Sequence, residues 1–303
     1  MLVLATVIPA LFLAFCFFYP VLALLWLGVG QAEESGYLTT FWRVIADSLT
    51  WRAIADTLFM AIGGTVISVL VGLPLSWVLY CLEFPFRTIL RVLVTIPFVL
   101  PTIGVAAAFK ALLSEGGWIA FLELDGTKGA VILAMVFYNV SLIVRTVGPV
   151  WARLTGRAPQ AACTLGASPT RAFFTVTFPQ LLGAIASGAS LVFLYCCSSY
   201  SLVMILGGIG VSTLESQIYQ TTSIDLDLAS AAVLALLQVI MVVLALSVSQ
   251  YYQNKARTSA RLKTVESVRT AKGWHYLAIA AAVAVIMLLI VMPMAQVITR
   301  SFR

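Results

Sequence analysis

Side chains that commonly do covalent chemistry are scarce and scattered in this sequence. The single histidine, His275, stands where a polar stretch meets an apolar one, with no partner at metal-ligand spacing. Cys16, Cys81, Cys163, Cys196 and Cys197 form neither a C-x-x-C pair nor a zinc pattern. Cys196 and Cys197 lie inside an apolar run and read as small hydrophobes. No catalytic residue, metal ligand or cofactor site of this chain's own is expected, which makes a membrane enzyme the weakest reading. The informative spacing is Gln160-Ala161-Ala162-Cys163-Thr164-Leu165-Gly166, continuing to Val176-Thr177-Phe178-Pro179. Its chemistry is that of docking. Pro159 suits a first helical turn, Ala161 and Ala162 allow close approach of a partner surface, and Gly166 can take a positive φ and stop the helix. Ser168-Pro169 restarts the chain as N-cap and N1, and Pro179 marks re-entry into an apolar segment. The same residues also fit an amphipathic loop lying on lipid headgroups.

The elements that must position this stretch follow from composition. Of 303 residues, 61% are hydrophobic and 10% charged, with a mean hydropathy of +1.04. A soluble domain carries about a quarter charged residues, so a soluble enzyme and a disordered chain are both excluded. Long uncharged runs without period-two alternation argue for helices rather than a barrel. The fold class expected is all-α, a polytopic transmembrane helical bundle. A helix crossing ~30 Å of hydrocarbon needs about 20 residues, and seven segments qualify: 2–28, 53–80, 88–112, 129–151, 181–206, 228–252 and 275–299. The first lacks a basic n-region and a small-residue cleavage site, so it is expected to be a retained anchor.

Charge sets the expected orientation. The net charge of +6 reads as the positive-inside bias of a membrane protein, not as a nucleic-acid footprint. With the N-terminus inside, the inside loops receive Arg87, Arg91, Arg145, Arg153, Arg157 and Arg171. They also receive Lys255, Arg257, Arg261, Lys263, Arg269 and Lys272. Of the acids, only Glu83 and Glu266 fall inside, while Glu33, Glu34, Glu123, Asp125, Glu215, Asp225 and Asp227 are among those outside. Residues 1–252 are thus expected to form one six-helix domain, with a cytoplasmic loop at 152–180. Residues 253–274 read as a basic, solvated linker, and 275–303 as the first helix of a second unit that this sequence does not contain.

The spacing of the 160–179 stretch resembles the Glu-Ala-Ala loop of the membrane subunits of binding-protein-dependent ABC importers. That pattern runs Glu-Ala-Ala, three residues, Gly, nine residues, Ile-x-Leu-Pro. Here Ala161-Ala162, Gly166, Val176 and Phe178-Pro179 keep the spacing, while Gln160 replaces the acid and removes its charge. Ile96 to Pro101, Val136 to Asn139 with Arg145, and Leu206-Gly207-Gly208 with Thr213-Leu214-Glu215 and Ile218-Tyr219 resemble a narrower branch. That branch holds the thiamine and ferric-iron permeases, typically two fused six-helix halves. Asp227-Leu228-Ala229 and the Ala-rich helix after it lean towards thiamine.

The resemblance implies a multi-pass permease in a bacterial plasma membrane, with no ATP or Mg site of its own. Its partners would be an ABC ATPase dimer, an extracytoplasmic substrate-binding protein and a second permease half or protomer. Gln160, Ala161, Ala162, Gly166, Val176 and Pro179 would couple ATPase closure to alternating access. Arg153, Arg157 and Arg171 fit either the ATPase surface or lipid headgroups. Ser187, Ser190, Ser198 and Ser201 recur near one helical face, as do Thr65, Ser68 and Gly72. Close helix packing explains both rows, and the alternative is that Ser198, Ser199 and Tyr200 line a substrate path. Asn139 is expected to bond to a neighbouring helix. An ion-coupled secondary carrier, the rival transport class, would usually place an acid at the centre of a span, and none lies there. A membrane scaffold would explain the helices but not the loop spacing.

Overall fold

Two prolines, Pro97 and Pro101, set the sharpest bend among these apolar helices. A computed structural model describes residues 2–19, 22–23, 26, 36–154, 157–257 and 269–301. In chain order the helices are α1 Leu2–Leu13, α2 Tyr37–Ala46, α3 Ser48–Cys81, α4 Arg87–Thr95, α5 Thr102–Leu113, α6 Lys128–Leu154 and α7 Arg157–Thr164. They continue as α8 Pro169–Ala172, α9 Phe178–Cys197, α10 Tyr200–Leu206, α11 Leu214–Tyr219, α12 Leu228–Arg257, α13 His275–Ile286 and α14 Met292–Ser301. Among the described residues, five helical stretches are long and apolar enough to cross a membrane. They are Ser48–Cys81, Lys128–Leu154, Pro169–Cys197, Leu228–Ser247 and His275–Gln296. The remainder of the expected first span, beyond α1 and the π turn Ala14–Phe18, lies largely outside the described residues.

Two expected spans change shape. The segment expected as one helix over 88–112 is broken, and its two arms, Arg87–Val99 and Thr102–Leu113, meet at 104°. Pro97 and Pro101 remove two backbone donors within five residues, and Leu100 turns extended before Pro101, as a pre-proline residue prefers. The segment expected over 181–206 starts earlier and ends sooner: helix runs from Pro169 to Cys197, then breaks at Ser198-Ser199. Pro179 is therefore the second residue of α9, within a helical stretch that runs unbroken from Pro169. It cannot donate to the Thr175 carbonyl, and the backbone widens into a π turn over Phe173–Thr177, where the Phe178 N–H donates to the Phe173 carbonyl.

The chain divides into two compact units. The first comprises residues 1–57 and 212–241. Its core is Val44, Ala53, Leu214 and Leu234, with Ile54 and Ile218 against it. Thr213 caps α11 in a reciprocal box with Ser216, and the Leu214 N–H donates to Thr57 Oγ1 at 3.0 Å. The second unit, 58–211 and 242–303, is built around α6, whose inner face is buried from Ala130 to Ala152. Small residues allow the approach of its neighbours. A Cβ on Gly72 of α3 would meet Ile143 at 2.6 Å, one on Gly148 of α6 would meet the Tyr80 ring at 2.3 Å, and one on Gly188 of α9 would meet Thr146 at 2.6 Å. α13 packs on α4 and α14 on α5, where Gln296 Nε2 donates to the Ala111 carbonyl at 3.4 Å. The end of the basic linker is pinned rather than free: Arg269 and Thr270 pair in parallel with Leu82 and Glu83.

Candidate functional site

The loop after α6 is assembled from two capped helices. α7 ends in a Schellman arrangement: the Ala167 N–H donates to the Ala162 carbonyl at 3.0 Å and the Gly166 N–H to that of Cys163 at 3.0 Å. Gly166 takes φ +91°, a region an L side chain rarely occupies. Ser168 then caps α8, its Oγ accepting from the Arg171 N–H at 3.3 Å, with Pro169 at N1. From Pro169 the backbone stays helical into the bundle. Aromatic contacts tie this junction to the end of α6: the Phe173 ring stacks on Trp151 at 5.9 Å and meets Phe174 and Phe178. Ala172 and Thr177 are buried beneath them.

The expected docking residues divide by exposure. Gln160, Ala161 and Gly166 are exposed, Ala162 is partly covered, and Val176 and Pro179 belong to the π turn and the helix after it. Leu165, 89% exposed at the tip, is the apolar group most available to a partner, and sequence reasoning passed over it. Its signal was a leucine directly before the helix-stopping glycine. Gln160 also helps line a 390 Å³ cavity beneath the loop, with Thr164, Thr177, Trp77 and Trp151.

A second candidate site lies in the bundle. A cavity of 180 Å³ is lined by Phe98, Tyr138, Asn139, Tyr195, Ser198 and Ser199, among others. Ser198 and Ser199 are there because α9 stops at Cys197, and the Ser199 hydroxyl donates to the Tyr195 carbonyl at 2.7 Å. Tyr200 is not among the lining residues. Asn139 donates within α6 to the Met135 carbonyl at 2.8 Å and across to Cys196 Sγ on α9 at 3.4 Å, so the interhelical bond expected of it is present. Tyr138 donates to the Leu100 carbonyl at 3.0 Å, satisfying a group the bend would otherwise leave open. Phe98 meets Tyr195 edge-on at 5.9 Å, and the Arg145 guanidinium lies 5.7 Å from the Phe98 ring centre. No charged side chain lines this cavity among the described residues. The other serine and threonine hydroxyls mostly turn back on their own helix: Thr65 donates to Ala61, Ser76 to Gly72 and Ser190 to Ala186.

The first unit carries a polar cluster of its own. Arg43 bonds to Asp227 and to Ser230, each at 3.0 Å. Burial opposes the charged Asp227 carboxyl, but the Ser230 N–H and hydroxyl, Arg43 and the Ala229 N–H outweigh it and hold the group below its ordinary value.

No family model matches the chain. It is 31% identical over 201 residues to the probable sulfate transport system permease protein of Chlorokybus atmophyticus, covering 64% of this chain and 68% of that protein. It is also 31% identical over 227 residues to the thiamine transport system permease protein of Salmonella typhimurium, 71% of this chain but 41% of that one. In solved structures it resembles a chain of a bacterial alginate ABC transporter in complex with its pentasaccharide-bound periplasmic protein. That likeness has a TM-score of 0.61 at 15% identity, over 87% of this chain and 96% of that one, and it concerns the fold alone.

Proposed function

The chain belongs to the permease subunits of binding-protein-dependent ABC importers, and we propose that it moves a small solute inward as one half of such a permease. The observation that carries this reading is the 157–177 loop: a helix stopped by Gly166, then a second helix continuous with a membrane span. A push on α7 from a closing ATPase dimer reaches α9 through helix and stacked rings rather than through slack chain, as a rigid-body switch requires. The ATPase binds the ATP and Mg. An extracytoplasmic binding protein delivers the solute from the opposite side. In this reading the N-terminus is cytoplasmic, the membrane is a bacterial plasma membrane, and 275–303 opens a second half.

Thiamine is the first solute proposed. The thiamine permease matches more of this chain than the sulfate permease does, and Phe98, Tyr138 and Tyr195 give the cavity flat aromatic faces suited to an organic cation. Sulfate is the second reading, favoured by the coverage of the sulfate relative and by the Ser198 hydroxyl on the cavity wall. Uptake of labelled thiamine and labelled sulfate is to be compared in cells with and without the gene, before and after energy depletion. ATP-dependent thiamine uptake lost in the deletion and restored by the full-length gene is the expected result. Loss of sulfate uptake instead would select the second reading, and loss of neither would overturn both, leaving ferric iron as the next solute to test.

A further inference from the structure

Charge alone assigns Arg145 to the inside loops, but the residue belongs to α6, well before that helix ends at Leu154. α6 has 27 residues, roughly 40 Å of helix. About 30 Å of it crosses hydrocarbon, so a residue about 13 Å from one end lies inside the apolar slab. Arg145 is nevertheless exposed, on the face of α6 opposite the fully buried Ile143 and Val147. Ion pairs among the described residues join Arg43 to Asp227 and Lys110 to Asp125, and Arg145 is in neither. Reaching back to the loop end is opposed by geometry. Helical side chains lean towards the helix N-terminus, which in α6 is the end away from the loop. The guanidinium accordingly lies 5.7 Å from the centre of the Phe98 ring, beside the bend of the broken span. Phe98 also meets Tyr195 edge-on, and both rings wall the 180 Å³ cavity. Tyr138, another wall residue, stands two helical turns before Arg145 on the same face of α6.

We propose that Arg145 faces the solute path and makes the stretch between the cavity and the loop end selective for negative charge. An exposed guanidinium in hydrocarbon is costly, and charges within spans face a bundle interior or a water-filled cavity. The field of Arg145 acts at the Phe98 end of the cavity, where apolar walls screen less than bulk water does. With a guanidinium already against it, the Phe98 ring has less to offer a second cation. An anionic solute is drawn past Phe98, and a cationic one is held back there. Of the two solutes proposed, this charge speeds sulfate and slows thiamine. That the cavity lies on a solute's route rests on the permease reading; that Arg145 meets water rather than lipid does not.

The test uses the full-length permease with its ATPase in inside-out membrane vesicles, in a chain whose five cysteines are replaced by serine. Ser198→Cys then places one reporter thiol on the cavity wall. Its modification by two methanethiosulfonates is timed, one carrying a sulfonate and the other a trimethylammonium group. The ratio of anionic to cationic rate should fall about fourfold on Arg145→Gln, the effect of a unit charge across about 10 Å of aqueous medium. Arg145→Lys, which keeps the charge, should hold the ratio. Arg145→Cys should itself react, since these reagents attack a thiolate in water. Equal ratios with and without the Arg145 charge would overturn the proposal. So would an unreactive Ser198→Cys, or an Arg145→Cys that reacts neither with nor without ATP. If the ratio shifts as expected but neither solute is taken up, the transport reading fails and the assignment of Arg145 stands.

Discussion

Gly166 is constrained by its backbone alone. A Cβ added there meets nothing within 4 Å, but its φ is +91°. An L residue held there pays about 1–2 kcal/mol, and a β-branched one is a genuine outlier. Gly166→Val should therefore insert normally yet abolish solute-stimulated ATP hydrolysis, because α7 can no longer stop and present Leu165. Stimulation at the wild-type level in correctly inserted protein would remove the loop from the coupling path. Much of this was legible in the sequence. Gly166 as helix stop, Ser168 as N-cap and Pro169 at N1 all follow from short-range chemistry and stand as expected. Pro179, read as the mark of re-entry, stands at the second position of α9, but the helix arriving unbroken from Pro169 was not legible. Only the geometry shows that a π turn absorbs the proline. Ser198 and Ser199 were singled out by polarity. Their cavity depends on Phe98 and Tyr138, a hundred and about sixty residues earlier in the chain, which no local pattern links to them.

Among elements, α6 is the axis of the second unit, and Gly148 on it, Gly72 on α3 and Gly188 on α9 set how closely the three approach. Gly148 faces the Tyr80 ring, over which the Arg91 guanidinium sits at 4.0 Å. Arg91 also donates to the Leu79 carbonyl at 2.8 Å. Gly148→Leu should lower the stability of the detergent-solubilised permease by about 1–3 kcal/mol through overpacking. Gly104→Ala, whose new methyl meets only Pro101 at 3.5 Å, should stay close to wild type. Equal midpoints for the two in a thermal unfolding assay would contradict the packing described. Hydropathy located the spans because each is long, but it averaged across the 104° bend. Pro97 and Pro101 were visible in the sequence. The sharpness of the bend was not, because it is supported by Tyr138 from another helix.

At the scale of the whole molecule, polytopic helical architecture followed directly from the scarcity of charge. The loop spacing then separated an ATP-driven importer from other membrane proteins. The solute is a different matter, since a cavity lined by aromatic rings, hydroxyls and one amide fits more than one small molecule. What the account requires above all is that the tip of the 157–177 loop meets an ATPase on the cytoplasmic side. The most direct measurement is thiol cross-linking of Leu165→Cys in membranes containing the cognate ATPase, in a chain whose exposed Cys163 is replaced by serine. The account predicts a cross-link from residue 165 to the ATPase that disappears when leucine is restored. Labelling of that cysteine by an impermeant reagent from the external face, with no cross-link to the ATPase, would contradict it.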